Sequence, residues 1–430
     1  MSAVTAPEHL SAAEHGLQRA EVDRNALDVV ERLADAGFEA LLVGGCVRDL
    51  LLGLHPKDFD VATNATPEEV KRLFRRSRLV GRRFRIAHVR YGRHIIEVST
   101  FRKGHADEEE ERRHDDSGLI LRDNVWGTLD EDAFRRDFTI NALYYDPTSE
   151  EIIDFVGGLD DLEHRRLRFI GDADVRLRED PVRILRAIRF HAKLGFALAP
   201  EIEAAIPAVA EQLQAIPPAR LFDEVCKLFV TGKSLEAWDY LAGTRVRSTL
   251  FPCTPPDDPL VTLAMRNTDA RIAAGKPVTP AFLLAVLLWR DYQARRDELA
   301  RTRKPAEARA AAAALTLAEE QLIIAIPRRF SQFMRDVWGL QHRLEARRPR
   351  AIRQLHEHER FRAAYDFLVL RADAGEEVAE AARWWTEYQE CDDAGMTAMI
   401  DNLRAQPGQG AAADGKPKRR RRRRRKPKDA

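Results

Sequence analysis

Apolar positions recur at helical spacing through "RNALDVVERLADAG" (24–37), and the run closes on a glycine, which predicts an amphipathic helix. "FEALLVGG" predicts a strand entering a glycine turn, and "VRDLLLG" a short helix ended by Gly53. "KDFDVAT" alternates charged and apolar residues as a strand does. "TPEEVKRLF" predicts a helix with Thr66 as N-cap and Pro67 at its first position. "IAHVRYG" and "HIIEVSTFR" predict two strands joined at Gly92. Residues 24–101 therefore alternate helix and strand in a small α/β unit, while residues 1–22 carry no clear period and are expected to be loosely ordered.

Charge replaces periodicity in "KGHADEEEERRHDDS" (103–117), which predicts a mobile loop. "AFRRDFTINALYYD" and "EIIDFVGGLDDLEHRRLRFIG" then predict a hairpin and a short helix. From Arg178 to about Leu403 the pattern is mostly helical. The Ala- and Arg-rich stretch 295–325 predicts a long surface helix, broken near Pro305. The linker "AQPGQGAAADG" (405–415) precedes a basic tail and predicts disorder for 405–430.

The chain has 430 residues and a formal net charge of +1. That near-neutrality conceals an asymmetry. The last fifteen residues, "KPKRRRRRRRKPKDA", hold eleven Lys/Arg and one Asp, so an acidic body carries a tail of about +10. Such a tail calls for a polyanionic partner. The four cysteines, Cys46, Cys226, Cys253 and Cys391, form no CxxC pair, which argues against a zinc site or a disulfide framework. No run of 18 apolar residues and no signal peptide is apparent, and the cytoplasm is the expected compartment.

The candidate chemistry sits in "LLVGGCVRDLLLGLHPKDFDVA" (41–62). In a strand, Asp58 and Asp60 face one side and Phe59 and Val61 the other. Two adjacent carboxylates raise each other's pKa unless a cation sits between them. Mg²⁺ suits such a pair, since it takes few carboxylates and keeps waters and substrate phosphates. Gly44 and Gly45 allow close backbone approach to a phosphate, and Arg48 follows at the start of a short helix. Asp49 braces the turn on this reading. Farther on, "REDPVRILRAIRF" predicts a helix with Asp180 as N-cap and Pro181 as first residue. Arg183, Arg186 and Arg189 recur along one broad face, with Leu185, Ile188 and Ala192 toward a core.

"LLVGGCVRDLLLG…KDFDVATNATPEEV", "RRDFTINAL" and "REDPVRILRAIRF", in this order across residues 41–196, resemble the nucleotidyltransferase class that contains bacterial poly(A) polymerases and CCA-adding enzymes (the class II tRNA nucleotidyltransferase/poly(A) polymerase family). The resemblance implies an α+β fold. A small nucleotidyltransferase head with a mixed β-sheet (24–155) would follow an N-terminal extension (1–23). A helical neck (156–215), an all-α RNA-binding body (216–404) and the basic tail (405–430) would complete it. It also implies Asp58 and Asp60 as metal ligands and Asp137 as a third catalytic carboxylate, with Glu97 in "IIEVSTF" as its rival. Arg136 would contact the triphosphate beside Gly44, Gly45 and Arg48. Asp180 and Arg183 would present a donor–acceptor edge to the incoming base, and Arg186 would meet phosphate or ribose.

"LVGRRFRIAHV" (79–89), "IPPARLFDEVCKLF" and "HERFRAAYDFLVLRA" resemble the poly(A) branch, and Arg82, Arg83 and Arg85 are expected near RNA or phosphates. The expectation is therefore an enzyme adding AMP from ATP to RNA 3′ ends with Mg²⁺ and no template. Arg419, Arg420, Arg421, Arg422, Arg423, Arg424 and Arg425 would hold RNA without reading sequence. In the family the poly(A) tails added to RNA promote its decay, which adds RNA chaperones and RNA-decay nucleases as partner classes. A CCA-adding enzyme is the near alternative, and a non-catalytic RNA-binding adaptor the distant one. "TGKS" (231–234) is no Walker A loop, because Lys227 stands where its first glycine belongs. Trp384 and Trp385 are read as helix packing rather than base stacking.

Overall fold

The computed structural model describes residues 6–81, 85–103, 113–114, 120–122 and 126–405. Arg82, Arg83 and the tail arginines lie outside the described residues, as does most of the charged loop after Lys103. Contacts divide the chain into two units. The first comprises Met1–Asp257, Met265–Val278 and Glu319–Ala325, and the second Asp258–Ala264, Thr279–Ala318 and Ile326–Ala430.

The first unit is built on a mixed sheet of eight strands. They are β1 (Glu8–Leu10), β2 (Ala40–Val43), β3 (Asp60–Thr63), β4 (Ser77–Val80), β5 (Ile86–Tyr91), β6 (His94–Thr100), β7 (Leu143–Asp146) and β8 (Glu151–Asp154), in the spatial order β1-β8-β7-β2-β3-β6-β5-β4. The expectation that residues 1–22 are loosely ordered is corrected for those described, from residue 6 on. Glu8–Leu10 pairs antiparallel with β8, and a short helix, Ala12–His15, follows. Three residues of strand have too little period to register in a sequence; the bare edge of β8 supplies their backbone partners.

The helices around the sheet start where their caps predict. α1 (Arg24–Asp35) is capped by Asp23, whose side chain accepts from the backbone N–H groups of Asn25 (2.9 Å) and Ala26 (3.2 Å). α2 (Gly45–Leu51) follows the glycine turn. α3 (Pro67–Leu73) has the expected Thr66 cap, closed into a capping box by Glu69. α1 and α3 cover one face of the sheet. On the other face, Leu41, Val43, Ala62, Phe101 and Tyr144 pack with Ala133 of α4 (Leu129–Phe134). That second face also carries Asp60, two residues from Ala62.

One row of the register fixes the site. Val43 stands opposite Asp60, Asp60 opposite Glu97 across the parallel β3–β6 pair, Glu97 opposite His88, and His88 opposite Arg78. Residues so paired share a face. Two neck helices follow: α5 (Ala173–Glu179) and α6 (Arg183–Leu194). α6 packs on α7 (Pro218–Leu228).

The second unit is all helical among its described residues. The expected long surface helix is two helices, Trp289–Leu299 and Pro305–Ile323, with Pro305 opening the second. Trp385 is fully buried and its indole N–H donates to the Leu344 carbonyl at 2.9 Å, a packing role as expected. Among the described residues no helix is long and apolar enough to cross a membrane.

Candidate active site

Asp60 opens β3, and Asp58 precedes the strand instead of belonging to it. Asp58 is exposed, Phe59 between them is buried, and Asp60 is partly buried. Burial pushes the Asp60 carboxyl up to about 6, the neighbouring charge of Glu97 adds to the rise, Arg136 opposes it, and Asp58 adds a little more. Glu97 is exposed, and its Oε1 lies 3.3 Å from His88 Nε2. Asp60 thus feels opposite charges, the Glu97 carboxylate raising its pKa and the Arg136 guanidinium lowering it.

These hard carboxylate oxygens fit a divalent cation. Among the described residues no three side chains of metal-binding type close around one point. An open set of Asp58, Asp60 and Glu97 suits a cation that completes its shell with water and substrate phosphates.

The glycine turn stands next to this pair. Gly44 has φ 79° and ψ −129°, a backbone conformation that an L side chain rarely adopts. A Cβ there would meet Nη1 of Arg136 and the Asn141 carbonyl at an ordinary 3.6 Å, so conformation rather than space demands glycine. Gly45 begins α2. Arg48 does not reach outward as expected. It is 2% exposed; Nη1 donates to Asn141 Oδ1 at 2.5 Å and Nε to Asp49 Oδ1 at 2.8 Å. Arg48 and Asp49 brace the turn from behind.

Arg136 is anchored by a residue that the sequence reading missed. Asp132 is fully buried in α4 and accepts from Arg136 Nη2 (2.8 Å), Arg135 Nη2 (2.6 Å) and the Tyr144 hydroxyl (2.8 Å). Burial would raise its carboxyl, but Arg136 and then Arg135 outweigh that and hold it down at about 2. Its signal in the sequence was an acid three and four residues before two arginines, the helical spacing for ion pairs.

Asp137 is engaged by the neck. Burial would raise its carboxyl, but Arg186 overrides that and keeps it below the usual range. Arg186 donates to Asp137 Oδ2 through Nε (2.7 Å) and Nη2 (2.5 Å), while the Phe138 N–H donates to Oδ1 (2.9 Å). The strand register places Glu97 on the face of Asp60, while Asp137 is engaged by Arg186. Arg186, expected at phosphate or ribose, is joined to Asp137.

The base-reading pair also differs in detail. Asp180 does not cap α6, which begins at Arg183 behind Val182. The Asp180 carboxylate instead accepts from Arg220 Nη2 of α7 at 2.5 Å and from the Val182 N–H at 3.3 Å. Arg183 is mostly buried and donates to the Arg176 carbonyl (2.6 Å) and to Glu179 (3.0 Å). Arg189 Nε is buried without a hydrogen-bond partner among the described residues, in the field of Glu224 and Asp137.

A mixed sheet with a glycine turn, an acidic pair at the head of the next strand and arginines converging from a helical neck defines a nucleotidyltransferase. Three family models match: "Poly A polymerase head domain" over residues 40–168, "Probable RNA and SrmB- binding site of polymerase A" over 195–256, and "Polymerase A arginine-rich C-terminus" over 301–426. Poly(A) polymerase I of Escherichia coli O6:H1 is 43% identical over 410 residues, covering 92% of this chain and 88% of that protein. The chain belongs to the bacterial poly(A) polymerase family. A CCA-adding enzyme of Lactobacillus helveticus is 40% identical over 221 residues, only 51% of this chain and 53% of its own. Among solved structures, the Bacillus stearothermophilus CCA-adding enzyme in complex with CTP is similar, with TM-score 0.57 and 27% identity over 83% of this chain and 80% of that one.

Proposed function

We propose that the protein transfers AMP from ATP to RNA 3′ ends without a template, releasing pyrophosphate, and that it works in the cytoplasm. The observation that supports it most is Asp60, a carboxylate that feels both Arg136 and Glu97 beside a glycine turn. Similarity to a poly(A) polymerase spans nearly the whole chain, whereas similarity to the Lactobacillus helveticus CCA-adding enzyme stops at about half, which favours adenylate as the product.

On this reading the triphosphate lies at Gly44 and Gly45, beside Arg136. Asp132 and Tyr144 hold Arg136 still, so its charge is aimed before substrate arrives. Asp58, Asp60 and Glu97 would hold Mg²⁺, with Glu97 replacing Asp137 as the third carboxylate. Bound there, Mg²⁺ would lower the pKa of the RNA 3′-hydroxyl and neutralise the leaving pyrophosphate. Asp180 and Arg183 read the base, since no template does. Asp137 positions Arg186, which presents its outer edge to the nucleotide. The tail, Arg419 to Arg425, keeps RNA near the site by charge alone. The added tails mark RNA for decay nucleases.

The test supplies ATP, CTP, GTP and UTP singly, with a divalent ion and RNA of arbitrary 3′ end, beside Asp60→Ala. Long ladders with ATP alone, absent from the variant, are expected. CTP incorporation confined to tRNA lacking its terminus would transfer the protein to the CCA reading. RNA binding without any incorporation would leave an adaptor.

A further inference from the structure

The nucleotide contacts all lie on one side of Asp60. Gly44, Arg136, Asp137 and Arg186 come from β2, the segment before β7, and the neck. An in-line displacement places the attacking and leaving oxygens on opposite sides of the transferred phosphorus. The attacking 3′-hydroxyl must therefore arrive from the other side, where β6, β5 and β4 continue the sheet.

On that side the face that carries Asp60 is exposed at several of its described residues. Ala87, Val89, Ile96 and Val98 point to the opposite face and are buried. The residues that alternate with them are not. Glu97 and Arg90 are exposed, Ile95 is 42% exposed, and His88 is partly exposed. The register orders them in two rows. Glu97, His88 and Arg78 lead outward from Asp60, and Ile95 stands opposite Arg90 beside them. Arg76 closes the edge, its carbonyl accepting from the Arg90 N–H at 3.0 Å.

The charge of this face changes sign with distance from Asp60. Acids stand at the centre, and arginines stand two and three strands away. Nearby Arg85 is neutralised by Glu68 at 2.7 Å, but Arg76, Arg78 and Arg90 make no ion pair among the described residues. Neighbouring strands are about 4.8 Å apart, so Arg78 on β4 lies three strands, roughly 14 Å, from Asp60. That span suits the second or third phosphate of a single strand whose end is at the metal site. Ile95 offers an apolar surface between, where a ribose or base can rest.

We infer that the exposed β6–β5–β4 face is the track for the 3′-terminal nucleotides of the RNA, with Arg78 and Arg90 as phosphate contacts and Ile95 as the apolar rest between them. This rests on the adenylyltransferase reading above. The track is separate from the Arg-rich tail: it fixes the direction of the last few nucleotides, whereas the tail holds RNA anywhere along its length.

The experiment compares the full-length protein with Arg78→Gln/Arg90→Gln, and with Ile95→Ala, in steady-state extension of a short oligoribonucleotide. RNA and ATP are varied separately and salt is varied in both. The double variant should raise the RNA KM about tenfold, leave the ATP KM in place, and make the log–log salt dependence shallower by roughly 1.4 for two lost phosphate contacts. Both arginines are exposed, so an unchanged melting temperature identifies folded variants. A 4-thiouridine near the primer end should cross-link to peptide 86–100 in the parent protein and not in the double variant. An unchanged RNA KM, cross-links confined to the tail, or equal rises in both KM values would overturn the track. So would concentration-dependent dimerisation through this face with RNA kinetics unmoved. No extension by the parent protein would overturn the adenylyltransferase reading itself, and the track with it.

Discussion

Asp137 and Arg186 meet through two hydrogen bonds, from Nε at 2.7 Å and Nη2 at 2.5 Å, and so pin helix α6 to the segment that leads into β7. The pair is partly buried, with side-chain exposures of 31% for Arg186 and 15% for Asp137. Asp137→Asn should cost about 2 kcal/mol, between the values for exposed and buried pairs. The depressed carboxyl contributes stability above its ordinary value of 3.8 and loses it as pH falls through and below that value. Urea unfolding of parent and variant at pH 7 and pH 3 checks this: the gap between them should close in acid. Arg186→Lys keeps the charge but loses the fork and should also weaken ATP use.

Asp60 predicts the opposite sign. Its folded value of about 6 lies above the ordinary 3.8, so the folded state loses stability as pH rises from about 4 to 6. Asp60→Asn should therefore stabilise the divalent-free protein by about 3 kcal/mol at pH 7.5 and by little at pH 4. The same variant should lose nearly all activity. Melting curves with and without Mg²⁺ provide the check, since the ion should raise the melting temperature of the parent only.

Asp132 has no solvent exposure and two arginines on it, so removing it strands both charges. Asp132→Ala should cost about 3–5 kcal/mol. Asp132→Asn should keep more of the fold yet misplace Arg136, raising the ATP KM. Because the carboxyl sits at about 2, its contribution persists above the ordinary 3.8 and fades from there down to pH 2, which acid unfolding would register.

Arg220 holds Asp180 at 2.5 Å from the next helix, which leaves that carboxylate less free to turn. Arg220→Gln should cost below about 1 kcal/mol in stability, because Arg220 is half exposed. Its effect should fall on the choice of base. The ratio of kcat/KM for ATP to that for CTP is expected to drop severalfold. An unchanged ratio would show that Arg220 has no part in that choice.

Local signals carried far in this chain. The cap at Thr66, the break at Pro305 and the turn at Gly92 are statements about a few consecutive residues, and all stand. The failures concern pairings between distant residues. Asp180 was read as a helix cap because Pro181 follows it; Arg220, forty positions on, claims the carboxylate instead. Asp137 was preferred over Glu97 although strand register decides which residue faces Asp60, and no residue near Glu97 encodes that register. Arg48 looks like a reaching cation until Asn141 is seen behind it. Glu8–Leu10 is a strand only because β8 has an edge to offer.

That last pairing also sets an order of events during synthesis. Glu8 finds Asp154, and Val43 finds Tyr144, only after a hundred or more residues separating each pair have been made. At ordinary elongation rates the opening segment waits on the order of ten seconds for its neighbour to leave the ribosome. Until then β2 presents an apolar flank with no partner on the β7 side. The first unit should remain vulnerable to proteases and dependent on chaperones until residue 154 is out, and a stalled ribosome before that point should release a chain that aggregates.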